Sequence, residues 1–207
     1  MDLLYQTIVG SRACGISKEN SDYDIYGFGV PEYKYIYPQG LLGYDEFPKL
    51  NQIQYKDDKV DITIYSITKF FRLCEDNNPN VLISLFTPDD CIIQLNNIAR
   101  KVRNWRWNFL SANFYSKFVA YAKSQINKLS RNFEGSRLSL VEKFGYDTKS
   151  AACCINLLYQ TKMFLDFDLD LRRYSHIIME IREGRLSLAE VKELYEEILS
   201  ECEHSFA

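Results

Sequence analysis

Gly10-Ser11 and, after ten intervening residues, Asp22-Tyr23-Asp24 are the residues whose types and spacing point to chemistry. Nucleotidyl transfer needs donors for triphosphate oxygens and carboxylates that hold divalent cations on the reacting phosphate. A glycine lets the backbone approach a phosphate closely, its amide and that of Ser11 can point at the oxygens, and the start of a short helix adds a favourable dipole. Asp22 and Asp24, two apart on an extended segment, project to one face, and such hard oxygen donors suit Mg2+ or Mn2+. Asp61, on the polar face of another strand-like run, is the third candidate ligand, placed to complete a metal site beside an attacking hydroxyl; Asp57 and Asp58 compete for that role. Alone, a Gly-Ser turn is usually a turn, and Asp-x-Asp is often a solvated strand edge. The combination carries the reading.

These residues need elements to hold them. Leu3 to Val9 reads as a buried strand ending at Gly10-Ser11, followed by a brief helical turn through Arg12, Ala13 and Cys14 and a polar loop over 17–21. Asp22 to Val30 alternates as a strand, with Asp22, Asp24 and Tyr26 on one face and Tyr23 and Ile25 on the other, the last two expected in the core. Residues 31–50, rich in Pro, Gly and Tyr, have no clear period and read as an irregular insertion. Gln52 to Tyr55 and Val60 to Tyr65 read as two strands joined by 56–59. Ser66 is placed to cap a helix reaching Asp76, Asn77-Asn78-Pro79 stops it before a helical turn over 81–86, and Cys91 to Leu95 adds a short strand. From about residue 96 the pattern turns helical, over 96–108, 112–131, 139–166, 174–183 and 187–202; Ser187 and Glu190 form a capping box for the last, after Gly184 closes its predecessor. Strands in the first half and helices in the second predict an α+β fold with a catalytic core over 1–95 and a helical region over 96–207.

Composition narrows the class. The 207 residues are 46% apolar and 26% charged, with 13 Phe and 15 Tyr, which suits a globular chain with a full core and not a disordered one. Six cysteines without a CxxC pair and two histidines argue against a zinc ribbon, and free thiols are expected. The first ten residues lack a basic n-region and no run of 18 apolar residues occurs, so a soluble cytoplasmic protein without membrane contact is expected. A net charge of -3 is unlike a general nucleic-acid coat, yet residues 100–137 carry nine Lys and Arg against the single acid Glu134.

Gly10-Ser11, the ten-residue interval and Asp22-Tyr23-Asp24-Ile25 resemble the signature of the polymerase-beta-like nucleotidyltransferase superfamily, and Asp61 fits its third carboxylate. GSRACG, SDYDIYG, VDITIY with the following KFFRLCEDNNPNVLISLF, and the later GYDTKSAA and REG stretches together resemble the RNA-repair-associated DNA polymerase beta family over most of the chain. The resemblance implies a small mixed sheet with helices packed on one side, a nucleoside triphosphate donor, and two Mg2+ or Mn2+ ions held by Asp22, Asp24 and Asp61. It also implies nucleotide contacts from Gly10, Ser11, Arg12, Ser21 and Lys149. Ile83, Cys153 and Asn156 depart from the pattern, standing where an acid, a His and an Arg are expected, which bears on triphosphate or acceptor contacts.

The expected reaction is transfer of a nucleoside monophosphate to a hydroxyl with release of pyrophosphate. An RNA end is the preferred acceptor; DNA, a protein side chain and a small molecule are alternatives. Outside enzymes, the alternative is a catalytically silent nucleotide- or RNA-binding module of the same fold. Arg103 to Trp107 mixes cations with large aromatics, a pattern that either stacks nucleic-acid bases or sends tryptophans to the core and arginines to water.

Overall fold

The computed structural model describes residues 1–32, 51–129 and 136–206. The expected insertion over 31–50 lies outside these residues from 33 onward, as do the last two residues of the helix expected over 112–131. The described chain forms two compact units, Met1–Ser111 and Ala112–Ala207.

In the first unit, β1 (Asp2–Ile8), β2 (Tyr23–Val30), β3 (Gln52–Lys56), β4 (Val60–Ser66) and β5 (Ile92–Leu95) form one sheet in the order β3-β4-β2-β1-β5. β2 and β4 are parallel and the other neighbours antiparallel, so the sheet is mixed. Both parallel strands become more buried toward their C-terminal halves. The cause is helix α2 (Ile67–Glu75), which follows β4 directly: its Phe70 packs on Phe28 with ring centroids 4.5 Å apart, and Phe28 in turn packs on Tyr5 at 5.4 Å. All three rings are fully buried and anchor the helix to the sheet's C-terminal β2–β4 end. Alternation then leaves Asp24 and Asp61 on that same face at the uncovered end.

Ser66 caps α2, its hydroxyl accepting from the Lys69 amide at 3.2 Å. Asn77 ends the helix in a left-handed conformation (φ 51), with its buried side chain donating to the carbonyls of Cys74, Glu75 and Phe109. Asn78 caps α3 (Pro79–Ser84) through the Val81 amide. The Tyr5 hydroxyl donates to Ser84 O at 2.7 Å, and Thr7 and Thr87 share a hydroxyl hydrogen bond of 2.7 Å, tying α3 and its exit to β1. A short 3-10 turn, Asp89–Cys91, leads into β5, and α4 (Asn97–Asn104) with a second 3-10 turn (Arg106–Phe109) completes the unit.

The second unit is helical: α5 (Asn113–Ile126), α6 (Ser136–Phe144), α7 (Thr148–Leu165), α8 (Ser175–Arg182) and α9 (Leu188–Phe206). α7 is buried along nearly its whole length, with α5, α8 and α9 packed around it. The single helix expected over 139–166 is in fact two. Gly145 (φ +81) ends α6, and Asp147 starts α7 by accepting from the amides of Lys149 and Ser150. The Ser187/Glu190 capping box forms as expected, with reciprocal bonds of 2.7 and 3.3 Å.

Candidate active site

Asp24 on β2 is the register partner of Asp61 on β4, and Asp61 is the partner of Lys56 on β3. Neighbours in register share a face, so two acids and a lysine line up across three strands. Asp22 stands just ahead of β2, exposed. Asp57 is engaged elsewhere: its Oδ1 accepts from the amides of Lys59 and Val60, both at 2.8 Å, and thereby builds the β3–β4 turn.

Gly10 opens the one-turn helix α1 (Gly10–Ala13), whose start has no side-chain cap. Its φ of +65° favours glycine, and a Cβ there would stand 2.6 Å from Asp24 Oδ2, so that the carboxylate would have to shift. The Val9 amide donates to Asp24 O at 2.8 Å, which fixes the turn against the acid-bearing strand. Ser11 follows within α1, its carbonyl accepting from the Ile16 amide at 2.9 Å.

Arg12 donates from Nε to Asp22 O at 3.2 Å and from Nη2 to Ser21 O at 2.6 Å, and its guanidinium lies 3.6 Å above the Tyr23 ring. It braces the approach to Asp22. Tyr23, expected in the core, is instead 41% exposed and serves as this platform, because the N-terminal end of β2 projects beyond the helix-covered sheet. Ser21 closes the loop: its Oγ accepts from the Lys18 amide at 2.8 Å and its own amide donates to Lys18 O at 2.9 Å.

Lys56 is the residue that sequence reasoning missed, having been read as part of a connector. Its Nζ lies 2.7 Å from Asp61 Oδ2, with side-chain exposures of 67% for the lysine and 24% for the acid. The ammonium holds the Asp61 carboxyl below the usual carboxylate range, with a further hydrogen bond from Gln54. In return Asp61 raises the Lys56 pKa, and Asp22 and Asp24 add to the effect. The turn built by Asp57 sets Lys56 opposite Asp61, a register that the sequence itself does not display.

Among the described residues no three His, Cys, Asp or Glu side chains are gathered into a metal-binding group. The donor set nonetheless suits a hard divalent cation: carboxylates on neighbouring strands, a glycine where a Cβ would collide with one of them, and a cation already drawn to the cluster.

Lys149 is exposed in the first turn of α7, in the second unit. Its positive charge, with those of Lys128 and Arg137, acts on Cys153, whose thiol is nevertheless pushed up by burial. The Arg103–Trp107 segment packs one tryptophan against a neighbouring ring and leaves the other to solvent. Trp105 is 63% exposed, whereas Trp107 packs edge-on against Phe86 at 4.7 Å. Arg103 bonds to the carbonyls of Leu85 and Thr87 and to Asp89, and so staples α4 to the α3 exit. The six cysteines are free, and burial pushes the Cys74 and Cys154 thiols up to about 12, out of nucleophilic range. No described helix is long and apolar enough to cross a membrane.

Residues 1–155 match the RNA repair pathway DNA polymerase beta family. A 38.9 kDa protein from the nrdC-mobD intergenic region of Enterobacteria phage T4 is 27% identical over 143 residues, which cover 67% of this chain and 41% of that protein. The chain therefore spans less than half the length of this relative. A nucleotidyltransferase-like protein from Exiguobacterium sibiricum 255-15 is a structural neighbour with a TM-score of 0.33 and 10% identity, over 99% of this chain and 69% of that one. The family match runs from β1 through both acid-bearing strands into the first turns of α7. The chain thus belongs to the RNA repair pathway DNA polymerase beta family, a family of polymerase-beta-like nucleotidyltransferases linked to RNA repair.

Proposed function

We propose that this protein transfers a nucleoside monophosphate from a nucleoside triphosphate to a hydroxyl, with an RNA end as the acceptor, and that Asp22, Asp24 and Asp61 hold two Mg2+ or Mn2+ ions for the reaction. The observation that carries the proposal is the register pairing of Asp24 with Asp61 beside the Gly10 turn. Bound there, divalent ions would neutralise the triphosphate and polarise the reacting phosphate.

The chain's own residues supply position and proton handling. In this reading the amides at the start of α1, which has no side-chain cap, would donate to phosphate oxygens, and Arg12 keeps the 21–22 backbone, and with it Asp22, in place. The acceptor oxygen forms a bond to the α-phosphorus, the bond between that phosphorus and the bridging oxygen breaks, and pyrophosphate leaves. The hydroxyl proton passes to a carboxylate of the trio. Ser21 serves the nucleotide indirectly, by closing the loop that presents Asp22. Lys149, exposed on the second unit, is assigned to nucleotide phosphate on the strength of the family motif alone.

The test incubates each α-labelled nucleoside triphosphate with Mg2+ or Mn2+ and a mixture of RNA, DNA and protein acceptors, beside an Asp22→Ala/Asp24→Ala double variant. The proposal expects label on RNA with the intact protein and none with the variant. Nucleotide binding without label transfer under every condition would replace it with the binding-module reading.

A further inference from the structure

We propose that Lys56 is a resident counter-cation of the acid cluster, which a divalent metal must displace from Asp61, so that the site takes up metal together with nucleotide in preference to metal alone. The inference rests on the reading of Asp22, Asp24 and Asp61 as metal ligands.

Three observations carry it. First, the Lys56–Asp61 ion pair is built in by the backbone: the two residues are register partners, and Asp57, binding the Lys59 and Val60 amides, locks the turn that sets this register. Second, the pair sits inside the cluster, because Asp61 is the register partner of Asp24, and the electrostatic influence of Asp22 and Asp24 reaches the same ammonium. Third, the lysine is free to leave, since its side chain is 67% exposed on β3, at the end of the sheet order. An ammonium is a compact point charge on a flexible stem, suited to occupying a site temporarily.

A metal on Asp61 and an ammonium 2.7 Å from the same carboxylate would be like charges competing for one ligand. Metal arriving alone must first separate an ion pair and leave the lysine facing a second cation. A triphosphate brings negative charge of its own, which receives the released ammonium and offsets the added metal charge. The consequence is a site that takes up free metal more weakly than metal accompanied by its substrate.

The experiment titrates Mn2+ against the full chain, following the free ion by electron paramagnetic resonance, with and without an α,β-methylene nucleoside triphosphate analogue. The proteins are the wild type, Lys56→Met, Lys56→Arg, Lys59→Met, and Lys56→Met in an Asp61→Asn background. Without nucleotide, Lys56→Met is expected to bind Mn2+ about fivefold more tightly than wild type, the upper range for release of one partly exposed ion pair. Lys56→Arg, which keeps the charge, and Lys59→Met, which removes a nearby lysine outside the pair, should match wild type. The gain should vanish in the Asp61→Asn background, and the tightening by nucleotide should be smaller in Lys56→Met than in wild type. Equal Mn2+ affinity in Lys56→Met and wild type, or an equal gain in Lys59→Met, would overturn the inference while leaving the metal-site reading intact. Absence of Mn2+ binding by every protein, with and without nucleotide, would overturn that reading and this inference with it.

Discussion

Asp24 and Asp61 are register partners on the parallel strands β2 and β4, at the end where the sheet emerges from under α2. Two like charges so placed repel one another unless a cation lies between or beside them. Lys56 supplies one such cation in the protein alone. A cluster of this kind lowers stability in exchange for a function that needs the charges together.

Removing either acid should therefore separate activity from stability. Asp24→Asn and Asp61→Asn are each expected to lower nucleotidyl transfer about a thousandfold, the scale of a few kcal/mol of lost charge stabilisation at the reacting phosphate. The melting temperature of the metal-free Asp24→Asn variant should equal or exceed that of wild type, because one repulsive partner is gone. Calorimetry beside a turnover assay checks both halves.

Gly10→Ala adds a single carbon where Asp24 Oδ2 would lie 2.6 Å away, on a backbone at φ +65°. The strained backbone alone should cost about 1–2 kcal/mol of stability. Displacement of the Asp24 carboxylate should in addition abolish transfer, even at temperatures where the variant remains folded. Equilibrium unfolding together with kcat separates the two effects.

Arg12 uses two geometric properties at once, a fork that meets the carbonyls of Ser21 and Asp22 and a plane that stacks on Tyr23. A lysine has neither property, so Arg12→Lys should behave nearly as Arg12→Ala. Both are expected to raise hydrogen exchange at the amides of residues 17–22 and to reduce transfer about tenfold through the loosened Asp22. Exchange measured by mass spectrometry, with β1 and β4 as unchanged controls, checks this.

Much of this arrangement was legible in the sequence because short-range rules govern it. Ser66 and the Ser187/Glu190 pair act within three residues of themselves, and each caps the helix its position predicts. Strand alternation likewise assigned Asp24 and Asp61 to polar faces, and the two are register partners. What escaped were relationships between chain segments. Lys56 meets Asp61 through a turn register set by Asp57, whose acceptor role looks the same in sequence as that of any surface acid. Tyr23 had the apolar character of a core residue, but its place at the projecting end of β2 left it to solvent and Arg12. The break between α6 and α7 falls at Gly145 and Asp147, a glycine stop and an N-cap that the expectation of one helix over 139–166 passed over.

Asp147 offers a test in the second unit. Burial favours its neutral form, but the hydrogen bonds from the Ser150 hydroxyl and amide and from Arg137, at 2.5 Å, outweigh this and hold its carboxyl below the ordinary value of 3.8. A depressed folded-state pKa contributes stability that is complete above the unfolded value and is lost as pH falls through the folded one. Asp147→Asn keeps the cap but loses the charge, so its deficit relative to wild type should be present at pH 7 and shrink below about pH 3.8. Asp147→Ala loses cap and charge together and should be less stable than Asp147→Asn at pH 7 by about 1 kcal/mol. Thermal melts across pH 3–7 check the trend.

The most direct test of the catalytic assignment follows two labels in one reaction with RNA, nucleoside triphosphate and Mg2+ or Mn2+. Label in the α-phosphate should move to RNA and label in the γ-phosphate should appear only in pyrophosphate, with both signals lost in Asp24→Asn and Asp61→Asn. Retention of both labels in intact triphosphate bound to the protein, or undiminished transfer by the Asp61→Asn variant, would contradict the account.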